Sequence, residues 1–550
     1  MWDDVSMRIQ KRIEAHEKGY RQNVGIIGRE GSGKTRFLIR LQQSLFVNPR
    51  FISVGFDCRI WDLDHLIERW MGALLSGLFQ SQSIQPPSHF QSLLSASVPI
   101  IPKTVERMKS LKKMVRREKP SAVIRELFSL TGVLAEETSK KIILILEEFQ
   151  ELEKLPCPDP FALLGKQIMV EKNTLYLVSS SKPEKAREIF RDKLSLLFGN
   201  FEIMETGPLE FEEAYALIHK DFGDLALSAR DQHFLISMTD GWPVSMDLIL
   251  STLRSIRMPS GNTPLLQAFE YELFDGEGRI FGIFQHKLNL LSALFKEDSM
   301  MMKTLLAIAF GKKKAQIIGV FIGKTARETK KILQRLLAEN VIVKRGSFYG
   351  IEDPLFRFWL REVWVKKQHV YSLDHGALQE SLCAALRHAY LRNVQENEND
   401  LSQKVETLLR EFRNDAVEMN QKRVSCPHFM EIASRPTNGR IFPIHARNQA
   451  VRWICQVAQD PVREEHVSLF LDELKRFRKR VQRKVLIALK GVDQNARLMA
   501  QEARIQIWGL RDFNALLDLY NLPKIIPMIE EKNTADEPPL GALAPSLHSA

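Results

Sequence analysis

The run Gly28-Arg29-Glu30-Gly31-Ser32-Gly33-Lys34-Thr35 has the spacing G-x-x-x-x-G-K-[ST], whose chemistry is the capture of nucleotide phosphates. Its glycines let the backbone curl until successive N–H groups point at phosphate oxygens, and the positive end of the following helix adds to that field. Lys34 is expected to reach the β- and γ-phosphates, and the Thr35 hydroxyl to ligate Mg²⁺. The bland alternative is a glycine-rich turn ahead of an ordinary helix. The flanks favour the first reading, because Val24–Ile27 has the apolar, β-prone character of a feeding strand and Phe37–Leu41 continues as a helix. The expected ligands are therefore ATP and Mg²⁺.

A second chemical element is Lys141-Ile142-Ile143-Leu144-Ile145-Leu146-Glu147-Glu148. An apolar run ending in carboxylates reads as a buried parallel strand with acids at its C-terminal end, where open α/β sheets bind ligands. Glu147 is expected to hold Mg²⁺, and Glu148 to act catalytically, with Lys34, by polarising the attacking water. A buried strand running into an acidic helix start would look similar, since Glu151 and Glu153 follow. A third strand, Thr174–Ser181, ends in hydroxyls. Ser180 is a candidate sensor of the γ-phosphate there, although serines also commonly open loops.

These residues need a scaffold. Phe51–Phe56 reads as another strand and Leu63–Leu78 as a helix, while Ser81–Thr104, with Pro86, Pro87, Pro99 and Pro102, reads as an exposed insertion. Glu212–Phe222 is helical, and Thr239-Asp240-Gly241-Trp242-Pro243 breaks helical patterns on either side. With 550 residues, 44% hydrophobic and 26% charged, the chain has room for about three or four globular domains. No apolar run approaches the ~20 residues of a membrane helix, and the start Met1-Trp2-Asp3-Asp4 is unlike a signal segment. Five scattered cysteines without metal spacing suit a reducing cytoplasm. A net charge of +11 points to a polyanionic partner, DNA or RNA ahead of a membrane surface.

Taken in order, the phosphate loop, the acid pair, the Ser-ended strand, Gly241-Trp242-Pro243 and the run Asp353-Pro354-Leu355-Phe356-Arg357-Phe358-Trp359-Leu360-Arg361 resemble archaeal-type P-loop ATPases of the STAND-like branch of the AAA+ class. The resemblance covers about residues 1–365. It implies an α/β P-loop core over 1–205, a helical lid over 206–300, and an ATP-driven switch with a protein partner and nucleotide-dependent oligomers. Relatives often have Asp where Glu147 stands, and an arginine where this chain reads Leu197-Phe198-Gly199-Asn200. Asn200 cannot serve as an arginine finger, so slow hydrolysis is expected, with Arg187 and Arg191 as nearby substitutes.

Over 301–365, three helical patterns (Leu305–Phe310, Gln316–Ile322, Ala326–Leu337) precede a hairpin pattern turning at Arg345-Gly346. This is the outline of a winged helix-turn-helix, with Lys330, Lys331 and Arg335 on its third helix and Lys344 and Arg345 at the wing tip. Two readings stand, a switch module packed within the protein and a DNA contact. Residues 366–425 read as a helical spacer. Over 426–530 a β-β-α-β-α-β-α order resembles the restriction-endonuclease-like fold. Pro443 stands at that fold's Asp position and Gln456-Val457-Ala458 at its Glu-x-Lys, so nuclease chemistry is not expected. Asp460 and Glu464 follow the second strand and do not replace them. The cationic run Lys475–Lys484 reads as a basic helix, for phosphate contact or simply solvated, and Lys103–Arg117 as a second basic patch. Residues 531–550 read as a disordered tail. The whole predicts an ATP-binding, slowly hydrolysing switch coupling nucleotide state to nucleic-acid or protein binding; its rival is a nucleotide-holding DNA-binding scaffold with little turnover.

Overall fold

In the computed structural model, residues 2–46, 48–59, 62–195, 199–225, 227–256, 264–295, 299–368, 375–398, 401–419, 422–434, 441–475 and 481–526 are described. They divide into two units, residues 1–210 with 242–244, and 211–241 with the remainder.

The first unit follows from strands that, except for the acid-interrupted last one, are apolar along their length because both faces are covered. Its order is α1 (Trp2–Glu17), β1 (Asn23–Gly28), α2 (Lys34–Phe46), β2 (Phe51–Asp57), α3 (Leu63–Gln80), α4 (Phe90–Ser97), α5 (Pro102–Met114), α6 (Pro120–Thr138), β3 (Lys141–Glu147), α7 (Pro160–Val170), β4 (Thr174–Ser180), α8 (Pro183–Glu188) and β5 (Phe201–Thr206). The five strands pair in parallel in the order β2-β3-β4-β1-β5. Val5, Ile9 and Ile13 of α1 and Leu38 and Leu45 of α2 cover one face. Residues of α3 to α7 cover the other, among them Trp70, Leu127 and Phe161.

The exposed insertion expected over Ser81–Thr104 is not what forms. Leu93 and Leu94 of α4, then Ile101 and Val105, enter the same core as Trp70 and Phe128. One of those prolines misled because it starts a helix: Pro102 opens α5 at the first turn, where no N–H is required of it, as Pro120 does for α6.

The second unit begins with α9 (Phe211–Phe222), α10 (Ala229–Thr239), α11 (Pro243–Ser255, whose first two residues count with the first unit), α12 (Pro264–Phe274) and α13 (Arg279–Leu294). Asp240 and Gly241 take positive φ between α10 and α11, giving the break expected there. Next come α14 (Ser299–Ala309), α15 (Ala315–Ile322), α16 (Ala326–Ala338) and the antiparallel pair β6 (Val343–Arg345) and β7 (Phe348–Gly350). Thr325 and Glu328 form a capping box at the start of α16. Gly346 turns the hairpin at φ 69°, and a Cβ there would lie 2.1 Å from the Ala416 carbonyl oxygen. The Ser347 N–H and hydroxyl both donate to that same oxygen, at 2.8 and 2.7 Å. The hairpin tip is thus packed on a backbone strand of the C-terminal region.

That region holds α17 (Pro354–Phe358), α18 (Val365–Gln368), α19 (His375–Glu398), α20 (Leu401–Glu411), β8 (Asp415–Met419), β9 (Lys422–Cys426), β10 (Glu431–Ser434), β11 (Ile441–Arg447), β12 (Arg452–Ala458), α21 (Glu464–Lys475), β13 (Arg483–Ala488), α22 (Gln494–Glu502), β14 (Gln506–Gly509) and α23 (Leu510–Leu519). The helical spacer therefore ends early. Asp415–Met419 and Lys422–Cys426 pair as antiparallel strands, with Val417, Val424 and Cys426 buried in one core with Phe348, Trp453 and Phe513. The main sheet runs β10-β11-β12-β13-β14, with β11 antiparallel to β12 and the last three strands parallel. Pro443 lies opposite Gln456 in register. Of the cationic run, residues 476–480 lie outside the described set, as does the tail from 527. The described ends belong to different elements, since Lys475 closes α21 and Arg483 opens β13, so the expected single helix does not form.

A half-buried ion cluster fastens α23. Burial alone would raise the Asp518 carboxyl, but Arg357, Lys313 and Lys524 around it hold it far below the ordinary range. Arg357 meets Asp518 at 2.7 Å and Lys524 meets Asp240 at 2.6 Å. Arg357 belongs to the Asp353–Arg361 run, whose Asp353 caps α17 through the N–H groups of Leu355 and Phe356.

Candidate phosphate-binding site

The parallel register brings the chemical residues to one edge of the first unit. Gly28 pairs with Thr206, Ile27 with Ser180 and Asp57 with Glu147, all at strand C-termini. Close packing makes Gly28 obligatory, because a Cβ would lie 2.1 Å from the Thr206 hydroxyl oxygen. Gly31 and Gly33 turn the loop at φ 82° and 89°. Inside it the Lys34 ammonium donates to the carbonyls of Gly28 (2.6 Å) and Arg29 (2.9 Å) and to the Ser32 hydroxyl at 3.2 Å.

Burial lowers the Lys34 pKa to about 8, against the pull of Glu148, Glu30 and Glu147. A phosphate ligand favours the charged amine. Below pH 8 the free chain already carries that charge, and above it binding must take up a proton. ATP affinity is therefore expected to fall by about tenfold per pH unit above pH 8. Calorimetry in buffers of differing ionisation enthalpy checks this; affinity constant to pH 9.5 would show that burial does not depress the Lys34 amine in the free chain.

Glu147 is raised by burial, while a hydrogen bond from Thr35 opposes the rise and Asp57 adds to it. A hydroxyl and a carboxylate drawn together suit Mg²⁺, a hard cation that takes oxygen ligands. Thr35 and Glu147 are the residues that would hold it. Asp57, which the sequence did not single out, is a third carboxylate at this edge, and its own partner is Arg59 at 2.6 Å.

Glu148 takes a left-handed conformation at φ 52°, uncommon for a side chain of its size, just beyond the end of β3. Its carboxylate accepts from the Ser181 hydroxyl (2.6 Å), the Ser181 N–H (3.1 Å) and Gln150 (2.7 Å). Ser180 lies elsewhere, its hydroxyl accepting from the Lys182 N–H at 3.0 Å. The hydroxyl that reaches the acid pair is thus Ser181, one residue beyond the expected sensor. Arg187 is engaged by Glu205 and Glu184, and Arg191 by Asp192. The Asn200 carbonyl accepts from the Asn23 N–H at 2.8 Å; Leu197 and Phe198 lie outside the described residues.

Two tryptophans flank the loop; Trp242 stands in the Gly241–Pro243 motif, whereas nothing in its spacing marked Trp2. Trp2 donates to the Ser32 carbonyl at 3.2 Å and stacks on Phe37 with centroids 4.7 Å apart. Trp242 packs beside Gly31, and the Val244 N–H donates to the Gly31 carbonyl at 3.4 Å.

No family model and no curated protein matches this sequence. Among solved structures the chain is similar to a Walker-type ATPase of Pyrococcus abyssi, with 16% identity over 64% of this chain and 94% of that one, at a TM-score of 0.47. It is similar to the ORC2 protein of Aeropyrum pernix in ADPNP–ADP complexes, with 11% identity over 70% and 93% and a TM-score of 0.41. For a single-residue variant of Thermotoga maritima RuvB, identity is 13% over 66% and 95%, with a TM-score of 0.31.

Proposed function

We propose that the chain binds ATP with Mg²⁺ and works as a slowly hydrolysing molecular switch that couples its nucleotide state to a nucleic-acid or protein partner. The observation that carries this reading is the convergence of Lys34, Thr35, Glu147 and Glu148 on one sheet edge around a loop that only glycines permit. Lys34 binds phosphate, and Glu148 orients the attacking water once its carboxylate leaves Ser181. Slow turnover agrees with that carboxylate being held by three donors and with both candidate arginines being ion-paired. In this reading residues 206–300 serve as the lid and 301–365 as a winged helix. Residues 426–530 are a nuclease-like domain without nuclease chemistry, because Pro443 and Gln456 supply neither an anionic metal ligand nor a cation. Cytoplasmic action and nucleotide-dependent oligomers belong to the same proposal.

The same hold on Glu148 favours one second reading, a nucleotide-holding DNA-binding scaffold with little turnover. Equilibrium ATP binding and steady-state hydrolysis, measured with and without duplex DNA, separate the two. Binding with slow, partner-stimulated turnover is expected of the switch, and binding without turnover under any condition would leave the scaffold. Absence of ATP binding would sink both.

A further inference from the structure

The outer face of α15 is apolar. Ile317 is 47% exposed, Val320 84% and Phe321 53%, and their spacing of i, i+3 and i+4 puts them on one side of the helix. Ile318 and Ile322, on the opposite side, are buried, so the helix has apolar residues on both faces and only one of them has a use within the fold. Large side chains exposed as a group on a short helix mark a binding surface more often than isolated ones do.

The neighbouring helix supplies the charge. α16 is packed on α15 where Thr329 approaches Gly319, and its solvent face carries Arg327, Lys330 and Lys331. Among the described residues none of these three cations has an ion-pair partner. Arg335, on the same helix, stacks over Phe295 at 4.1 Å. The apolar and the cationic residues thus stand on two consecutive helices that pack on each other.

DNA does not fit this pair of helices well. In helix-turn-helix docking the first helix crosses the phosphate backbone while the second enters the groove. Here α15 would present Ile317, Val320 and Phe321 to phosphates. The hairpin that would flank the groove is also engaged, with its Gly346 tip against Ala416. A partner that matches both sets of residues has apolar anchors at helical spacing and carboxylates beside them.

We propose that the exposed faces of α15 and α16 form one docking surface for an acidic amphipathic helix of another protein. This names the partner class that the switch reading leaves open, and it stands whether or not the chain hydrolyses ATP. Ile317, Val320 and Phe321 take the apolar anchors, and Arg327, Lys330 and Lys331 take the carboxylates.

The test uses the full chain as bait for a displayed library of random peptides about 16 residues long, enough for four helical turns. Enriched peptides are expected to be net acidic, with apolar residues three and four apart. Binding of a representative peptide should weaken by at least about tenfold, or ~1.4 kcal/mol, in Val320→Glu. It should weaken comparably in a Lys330→Glu, Lys331→Glu pair, and in that case show a reduced salt dependence. Val320 is almost fully exposed, so its variant should keep the wild-type ATP affinity and melting temperature, which separates failure of the surface from failure of the nucleotide site. Three results would overturn the proposal: no enrichment that depends on Val320, a dimer of the wild-type chain that Val320→Glu dissociates, or duplex DNA binding that the Lys330/Lys331 pair abolishes while Val320→Glu leaves it intact.

Discussion

Lys34→Ala is expected to weaken ATP binding by about 30- to 150-fold, the ~2–3 kcal/mol of a charge-assisted hydrogen bond to phosphate. The side chain is 6% exposed, and its ammonium is the donor for the Gly28 and Arg29 carbonyls as well as for Ser32. Removing it takes away the phosphate's counter-charge and leaves three loop acceptors without that donor, so two separate losses contribute. Lys34→Met incurs both losses while restoring most of the volume, so comparing it with Lys34→Ala separates them from the effect of the cavity. Far-UV circular dichroism should match the wild type in both variants, since α2 retains its other residues. Nucleotide affinity unchanged in a folded variant would remove Lys34 from the site.

Glu148→Gln should cut hydrolysis by about 10²- to 10⁴-fold, the usual contribution of a positioned acid–base group, while ATP affinity stays within a few-fold. The amide keeps one oxygen to accept from Ser181 or Gln150, so the local geometry survives while the negative charge is lost. The partner variant moves turnover the other way. Ser181→Ala removes the hydroxyl that holds the carboxylate at 2.6 Å and should raise turnover several-fold without tightening ATP binding. Comparing single-turnover hydrolysis with equilibrium affinity in both variants separates chemistry from binding. Turnover that survives Glu148→Gln assigns water activation to another residue.

Much of this site was legible because its residues sit where chemistry and strand pattern coincide. β1, β3 and β4 are near-continuous apolar runs, and each ends in residues of the candidate site. β5 was not legible. Phe201-Glu202-Ile203-Met204-Glu205-Thr206 is interrupted by acids, and Glu202 finds its place only through Arg8 and Arg12 of α1, almost two hundred residues earlier. The same holds for β8 and β9, whose polar alternation beside a long helix looks like more helix until Phe348 and Phe513 share their core. The Ser180–Ser181 step could not be resolved either. A one-residue move reverses the side of a strand from which a side chain projects, and which serine continues past the strand's last pair depends on its neighbours. The contacts of Trp2 and Trp242 with the loop are invisible for another reason, since they form only through tertiary packing.

The hairpin tip seated on Ala416 has a mechanical consequence. Phe348 is buried in the core of the C-terminal sheet, its strand is bonded to β6, and β6 follows α16 after a short turn. Gly346 leaves no gap at the contact, and two hydrogen bonds from Ser347 prevent sliding. Moving β8, the strand of Ala416, away from the hairpin tip therefore breaks both of these bonds at once.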